Sequence, residues 1–250
     1  MDQDTWIGGE ANRFPLTRRS VLAAVKGEDV AARERALQTL IEAYWKPVYK
    51  YIRLKWHAGN EEAKDFTQAF FASAMERAFF ERHVEQRASF RTYLRLCVDG
   101  FVSNERKAAR RLKRGGAERF VPLDFDAADA EFEKTGARGG GDPDGFFDHE
   151  CSRSLFARAL ESFRAECEST GKPLPFQLFE RYDLHADSAA LRLTYDQLAA
   201  AFDVPVTQVA NHLAWARRTF RRHVLEALRE LTSDEAEFRE EARRLLGMHF

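Results

Sequence analysis

The chain has 250 residues, a hydrophobic fraction of 44% and a net charge of −1, which together predict two domains of moderate size with apolar cores. The three cysteines have neither zinc-ligand nor disulfide-framework spacing, and the N-terminus lacks the basic start and apolar run of a signal peptide. No apolar stretch is long enough to span a bilayer, so the composition predicts a cytoplasmic protein that does not bind membranes.

The first half of the chain has the apolar spacing of helices throughout. A short helix is predicted from Thr17 to Gly27, and a second one carries the apolar residues 36–44. Proline is a favourable first helical residue, so a separate helix is predicted to begin at Pro47 and to end at Gly59. Two longer helices are predicted at residues 61–82 and 89–116. This half therefore predicts a helical bundle.

Residues 124–150 have a different composition. Nine acidic residues face only Lys134 and Arg138, and a run of three glycines precedes Pro143. Glycine and proline disfavour regular elements, and like charges keep a segment extended. This segment is predicted to be a flexible acidic linker.

Helical spacing returns after the linker, at residues 156–169, 176–186 and 193–231, and residues 233–250 form a charged tail with one apolar helix face. The fold class predicted from the sequence is all-α, with two helical domains joined by the linker.

Residues 195–218 have the pattern of a helix-turn-helix. Leu198, Ala199 and Phe202 form an apolar face before a short turn, and Val209 with Leu213 anchors the second helix. The side chains that remain on the outer face of the second helix are Gln208, Asn211, His212 and Trp215. Amides on such a face can read base edges, although helical hairpins without DNA-binding activity are common in bundles. For Trp215, packing against the preceding helix is favoured over a DNA contact.

Basic residues are concentrated in two clusters, one on each side of the acidic segment. The first cluster comprises Arg106, Lys107, Arg110, Arg111, Lys113, Arg114 and Arg119, and the second comprises Arg217, Arg218, Arg221 and Arg222. Clustered cations neutralise phosphates and give salt-dependent affinity for nucleic acid. The alternative is a pair of solvated helix faces, or a bundle whose basic faces bind acidic proteins.

No catalytic motif occurs in the chain, and no histidine has metal-ligand spacing with an acidic residue or a cysteine. The sequence therefore predicts a protein that is not an enzyme, with no catalytic residue, no metal site and no cofactor.

Taken together, these segments resemble bacterial RNA polymerase sigma factors of the extracytoplasmic-function type. LIEAYWKPVYKYIRLKWHAGNEEAKDFTQAFFASAMERAFF is similar to sigma region two, with Asp65, Gln68, Phe70 and Phe71 in the family frame. FRTYLRLCVDGFVSNERKAARR is similar to the segment that melts and binds the minus-ten element, and LTYDQLAAAFDVPVTQVANHLAWARRTFRRHV is similar to region four, which reads the minus-35 element.

The resemblance implies a sigma factor that binds core RNA polymerase and directs promoter recognition and transcription initiation. It implies a region-two domain at residues 1–120, the linker at 121–149, a region-four domain at 150–232 and a tail at 233–250. The implied partners are core RNA polymerase, through its beta-prime clamp and beta flap, and promoter DNA, with an anti-sigma factor as an optional partner. The alternative is a sigma-like helix-turn-helix regulator that does not engage polymerase.

The resemblance and the two basic clusters together assign residues to three contact surfaces. The polymerase contacts are Asp65, Gln68 and Phe71. The minus-ten contacts are Arg91, Tyr93, Asn104, Arg106, Lys107, Arg110 and Arg111. The minus-35 contacts are Gln208, Asn211, His212, Arg217, Arg218 and Arg221.

Overall fold

The structure is a computed structural model that describes residues 21–25, 29–76, 89–109, 123–136, 141–184 and 193–247. Its helices are α1 (Val21–Val25), α2 (Val30–Lys55), α3 (Asn60–Glu76), α4 (Phe90–Ala109), α5 (Phe125–Lys134), α6 (Pro143–Ser169), α7 (Pro173–Phe179), α8 (Tyr195–Phe202), α9 (Val206–Glu230) and α10 (Glu235–Leu246). One π-helical turn, Glu180–Leu184, follows α7. No residue in these described ranges lies in a β-strand. The prediction of an all-α fold is confirmed for this part of the chain. Within it, no helix combines the length and the apolarity needed to cross a membrane.

Helix α2 runs through Pro47 without ending, so the prediction of a separate helix that begins at this residue is wrong. Proline has no N–H group, and inside a helix it leaves the carbonyl four residues earlier without its usual donor. Here that carbonyl belongs to Ala43, and the hydroxyl of Ser154 on α6 donates a hydrogen bond to it at 2.8 Å. A tertiary contact therefore satisfies the group that Pro47 leaves open.

Much of the acidic segment is helical. Asp124 caps α5 by accepting a hydrogen bond from the Ala127 N–H at 2.9 Å. Asp142 caps α6 in the same way, and Pro143 occupies the start of that helix, where its missing N–H costs no hydrogen bond. The prediction of a segment without regular structure is wrong for residues 125–134 and 143–150.

The acidic residues of this segment bind cations on α2. Lys50 is fully buried, and its Nζ lies 2.7 Å from Glu150 Oε2 and 2.8 Å from Glu131 Oε2. One turn further along, Arg53 Nη2 lies 3.0 Å from Asp129 and 2.7 Å from Glu133. The acidic residues that gave this segment the composition of a solvated linker therefore form ion pairs with buried cations of α2.

The described residues form two apolar cores, and α6 and α9 contribute to both. The first core contains Phe147 and Leu155 of α6 and Val224 of α9, packed against helices α1 to α5 and α10. The second core contains Phe163 of α6 and Leu213 of α9, packed against α7 and α8. The division between the cores therefore falls within continuous helices and not at residues 121–149. The division into two functional domains stays a prediction.

Candidate nucleic-acid interface

Local interactions define the two ends of helix α8. The Thr194 hydroxyl accepts a hydrogen bond from the Gln197 N–H at 3.2 Å, and the Gln197 side chain accepts one from the Thr194 N–H at 2.8 Å. This reciprocal pair is a capping box, which fixes the start of the helix. Asp203 ends the helix in the left-handed conformation, with φ of 52°, and α9 begins after Pro205. The chain therefore makes a short turn between the two helices.

The buried face of this hairpin matches the prediction. Leu198, Val209 and Leu213 are each 0% exposed, and Ala199 is buried beside them. Phe202 and Val204 are partly buried against the same core. The apolar contacts that hold the second helix across the first are therefore those expected from the sequence.

The outer face of α9 carries the predicted base-reading side chains. Gln208 and Asn211 are exposed on its first turns, and His212 is half-buried. Trp215 packs inward, as favoured from the sequence, but its ring lies 6.1 Å from that of Phe163 on α6, which is not the preceding helix. Two amide side chains therefore remain on the surface at the N-terminal end of this helix.

The arginine cluster on α9 divides into two pairs. Arg217 makes two hydrogen bonds to Asp183, at 2.9 and 3.0 Å, and Arg222 binds Glu166 at 2.6 Å. The other two members, Arg218 and Arg221, are exposed and form no ion pair with another described residue. These two side chains can contact phosphates without first breaking an internal contact.

The predicted polymerase contacts on α3 differ in accessibility. Asp65 is exposed and Gln68 is half-buried, so both have atoms on the surface. Phe71 is only 1% exposed and lies in the first core. Phe71 therefore cannot contact polymerase in this structure, because its side chain packs into the core of this protein.

The predicted minus-ten surface is partly closed. Arg91 and Tyr93 are 7% and 6% exposed, so neither can contact DNA in this conformation. Arg91 forms an ion pair with Glu241 on α10.

The rest of that surface lies towards the end of α4. Asn104 and Lys107 are exposed there. Arg106 is half-buried against the Trp56 and Phe66 rings, with its guanidinium carbon 5.5 and 5.9 Å from their centres. Arg110 and Arg111 lie outside the described residues.

Comparisons with protein-family models, with curated proteins and with solved structures found no match. The α8–α9 hairpin is therefore the main support for a functional proposal, because it exposes Gln208 and Asn211 together with two arginines that form no ion pair within the described part of the chain.

Two residues important for the candidate surfaces were not predicted from the sequence. Glu237 and Glu241 lie on the side of α10 that contacts α4. The available signal was their spacing of four, which repeats that of Phe238 and Ala242 on the adjoining apolar face. Their partner helix was not predictable, because nothing local specifies where a short tail helix docks.

A buried histidine joins α9 to α6 beside the arginine cluster. His223 is 5% exposed, with Nδ1 3.0 Å from the Ser162 hydroxyl and Nε2 3.0 Å from Glu166 Oε2. Burial lowers the pKa of His223 below its usual 6.5, and the Arg222 guanidinium lowers it further. The carboxylates of Glu166 and Glu226 oppose this change without reversing it.

Protonation of His223 should destabilise the folded chain. The unfolded chain binds this proton at a higher pH than the folded chain, so the free energy of unfolding should fall as the pH drops below about 6.5. The pKa of Glu166 is also lowered, chiefly by its hydrogen bond from Arg222, so further stability should be lost below about 4.5. Urea denaturation over a pH series measures both effects.

His223→Gln should remove the decrease in the free energy of unfolding that occurs between about pH 6.5 and the folded pKa of His223. The control is His149→Gln, a substitution of an exposed histidine, which should leave that decrease in place. An identical pH dependence in His223→Gln and the unsubstituted chain would contradict this assignment.

Proposed function

We propose that this chain is a DNA-binding transcription initiation factor of the sigma type, whose α8–α9 hairpin binds upstream duplex DNA. The proposal is carried by the first turns of α9, where Gln208 and Asn211 are exposed while Val209 is fully buried. The N-terminal turns of a recognition helix enter the major groove. Amide side chains there can pair with the N6 and N7 edge groups of adenine.

Phosphate contacts are assigned to residues further along the same helix. Arg218 and Arg221 lie there, exposed and without an ion pair among the residues that the structure describes. Arginines in this position orient the helix on the duplex and make the affinity depend on salt. Base reading and phosphate binding are therefore assigned to different residues, which can be substituted separately.

Asn211→Ala and Arg218→Ala should impair DNA binding in different ways. Asn211→Ala should relax the preference at a few base pairs by about 1–3 kcal/mol, with little change in salt dependence. Arg218→Ala should weaken binding to all sequences and flatten the salt slope by about one unit. The measurement is fluorescence anisotropy of the full chain on duplexes of varied sequence over a salt series.

Arg239→Ala is the matched control, because this arginine is exposed on α10 and its only described ion-pair partner is Glu235. It removes one positive charge at a position away from the hairpin, and it should leave the affinity for DNA and the salt slope unchanged. Equal effects of Arg218→Ala and Arg239→Ala would mean that the affinity reflects overall charge, and the hairpin would lose its assignment.

Binding to core RNA polymerase is the finer part of the proposal, in which the α2–α4 bundle acts as a polymerase-binding domain and the hairpin as a DNA-binding domain. It is supported by the resemblance to sigma region two and by the exposure of Asp65 on α3. The apolar side of α3, including Phe70 and Phe71, is occupied by the core. Only the polar side of α3 is therefore available for a partner.

Asp65→Arg should abolish co-purification with core RNA polymerase, because it reverses an exposed charge at the proposed contact and leaves the buried side of α3 unchanged. Glu34→Arg is the control, since it reverses an exposed charge on α2. Circular dichroism should show the same helix content in both variants. Retention of polymerase by Asp65→Arg would remove α3 as the contact.

A DNA-binding regulator that does not engage polymerase is the second candidate. The burial of Phe71, Arg91 and Tyr93 favours it, because three of the residues assigned to polymerase and to the minus-ten element are not accessible. Run-off transcription with core polymerase on fragments of the source genome separates the two candidates. Promoter-dependent transcripts support the sigma factor, whereas DNA binding without transcripts supports the regulator.

A further inference from the structure

Helix α10 packs against the N-terminal end of α4. Phe238 and Ala242 are 4% and 0% exposed and attach α10 to the first core. Asp234 caps the helix by accepting a hydrogen bond from the Glu237 N–H at 2.8 Å. The tail is therefore an ordered helix with a defined docking face.

Two carboxylates on that face bind groups at the start of α4. Glu237 Oε1 accepts a hydrogen bond from the Phe90 backbone N–H at 2.6 Å, and Oε2 accepts two from Ser233 at 2.7 Å each. One turn later, Glu241 forms its ion pair with Arg91. The first N–H group of α4 and the adjacent guanidinium are thus both occupied by α10.

These two groups are the kind that bind phosphate. The N–H groups at a helix N-terminus carry partial positive charge and point towards an anion. An arginine guanidinium binds the oxygens of carboxylates and phosphates with the same geometry. Glu237 and Glu241 therefore occupy two groups for which the phosphates of a nucleic-acid strand can compete.

We propose that α10 is an autoinhibitory helix, which blocks the binding of single-stranded DNA at the N-terminal end of α4 until it is displaced. This inference rests on the proposed DNA-binding function. It gives α10 a regulatory role at the part of the predicted minus-ten surface where Arg91 and Tyr93 are buried. In the closed state, Arg91 and the N-terminus of α4 do not contact DNA, whereas the α9 face can. When α10 leaves, Arg91 and the N-terminus of α4 become available to the strand.

Helix α10 is short and is held by few buried side chains, so a competing ligand can displace it. The helix has 12 residues, and helices of this length are marginal in water without packing partners. Its single large apolar side chain that is buried is Phe238, which Arg229 covers at 4.0 Å from guanidinium carbon to ring centre, while Leu245 and Leu246 are only partly buried against the same core. Its ionic contacts to α4 can be exchanged for contacts with phosphate, so strand binding can compete directly with docking.

Glu241→Gln in the full chain tests the proposal, because it removes the charge that holds Arg91 and keeps the side-chain size. The probe is a single-stranded DNA oligonucleotide of mixed sequence, with binding followed by anisotropy. We expect about fivefold tighter binding, because the closed state becomes less populated. Adding Arg91→Ala should abolish the gain.

Glu240→Gln is the matched control, since Glu240 is exposed on α10 and its described ion-pair partner is Arg243. It should leave single-strand affinity unchanged. Amide hydrogen exchange of residues 235–246 in the unsubstituted chain should also become faster when the oligonucleotide is added. Unchanged affinity in Glu241→Gln or unchanged exchange would overturn the autoinhibitory role.

Duplex DNA distinguishes the failure of this inference from the failure of the proposed function. If duplex binding depends on Arg218 while Glu241→Gln does not alter single-strand binding, α10 is not inhibitory and the DNA-binding function stands. If neither duplex nor single-stranded DNA binds with salt dependence, both proposals fail.

Discussion

Lys50→Met should lower the free energy of unfolding by about 3–5 kcal/mol, because it removes the buried cation of the buried Glu150 carboxylate and leaves it with the exposed Arg153, at 3.4 Å. Lys50 is 0% exposed and Glu150 is 3% exposed, and their charged atoms lie 2.7 Å apart. Glu131 shares the same ammonium group but is partly solvated. Burial acts to raise the pKa of Glu131, but the hydrogen bonds and charges of Lys50 and Lys46 outweigh it, and the pKa is lowered. Urea denaturation followed by circular dichroism gives the free energy.

Lys46→Met is the matched control, because Lys46 also binds Glu131 but is one-third exposed. It should lower the free energy of unfolding by about 0–1 kcal/mol, because a solvated ion pair contributes little to stability. The double variant Lys50→Met with Glu150→Leu should recover much of the lost stability, because it removes both buried charges. If Lys50→Met costs no more than Lys46→Met, residues 125–150 do not cover α2 in solution.

Phe163→Ala should also lower the free energy of unfolding by about 3–5 kcal/mol, through loss of apolar burial and the cavity that remains. Phe163 is 0% exposed, and its ring centre lies 5.5 Å from that of Phe176, 5.7 Å from that of Phe179 and 6.1 Å from that of Trp215. This side chain supports α9 just beyond its exposed N-terminal turns. The melting temperature, measured by thermal denaturation, and the affinity for duplex DNA should therefore both decline.

Phe163→Leu keeps most of the volume and should cost clearly less than Phe163→Ala. Glu161→Ala, an exposed change on the same helix, should stay within about 0.5 kcal/mol of the unsubstituted chain. Equal stability of Phe163→Ala and Glu161→Ala would show that the second core does not hold α9 in place.

The hairpin illustrates what local sequence patterns can specify. Thr194 and Gln197 form their capping box within four residues, and the spacing of Val209 and Leu213 selects the buried face of α9. These features depend on helix geometry alone, so the exposed positions of Gln208 and Asn211 also followed from the sequence. Trp215 was predicted to pack inward, but its partner on α6 could not be identified, because that contact spans more than fifty residues.

The acidic segment illustrates how composition can mislead. Nine acids with glycines and a proline predicted a flexible linker, but Asp124 and Asp142 are helix caps, and Glu131 and Glu150 bind Lys50. Composition predicts disorder by assuming that charges remain solvated. That assumption fails where another helix supplies a buried cation at the right position.

The sequence by itself determined the helical fold class, the apolar faces of its helices and the exposed amides at the start of α9. These properties follow from periodicity and capping, which act over a few residues. Only the tertiary structure decided that α2 continues through Pro47, that the acidic segment packs on α2, and that α10 covers Arg91. In each case the deciding partner is more than eighty residues away in the chain, and a contact of that range is set by packing and charge pairing that no local pattern specifies.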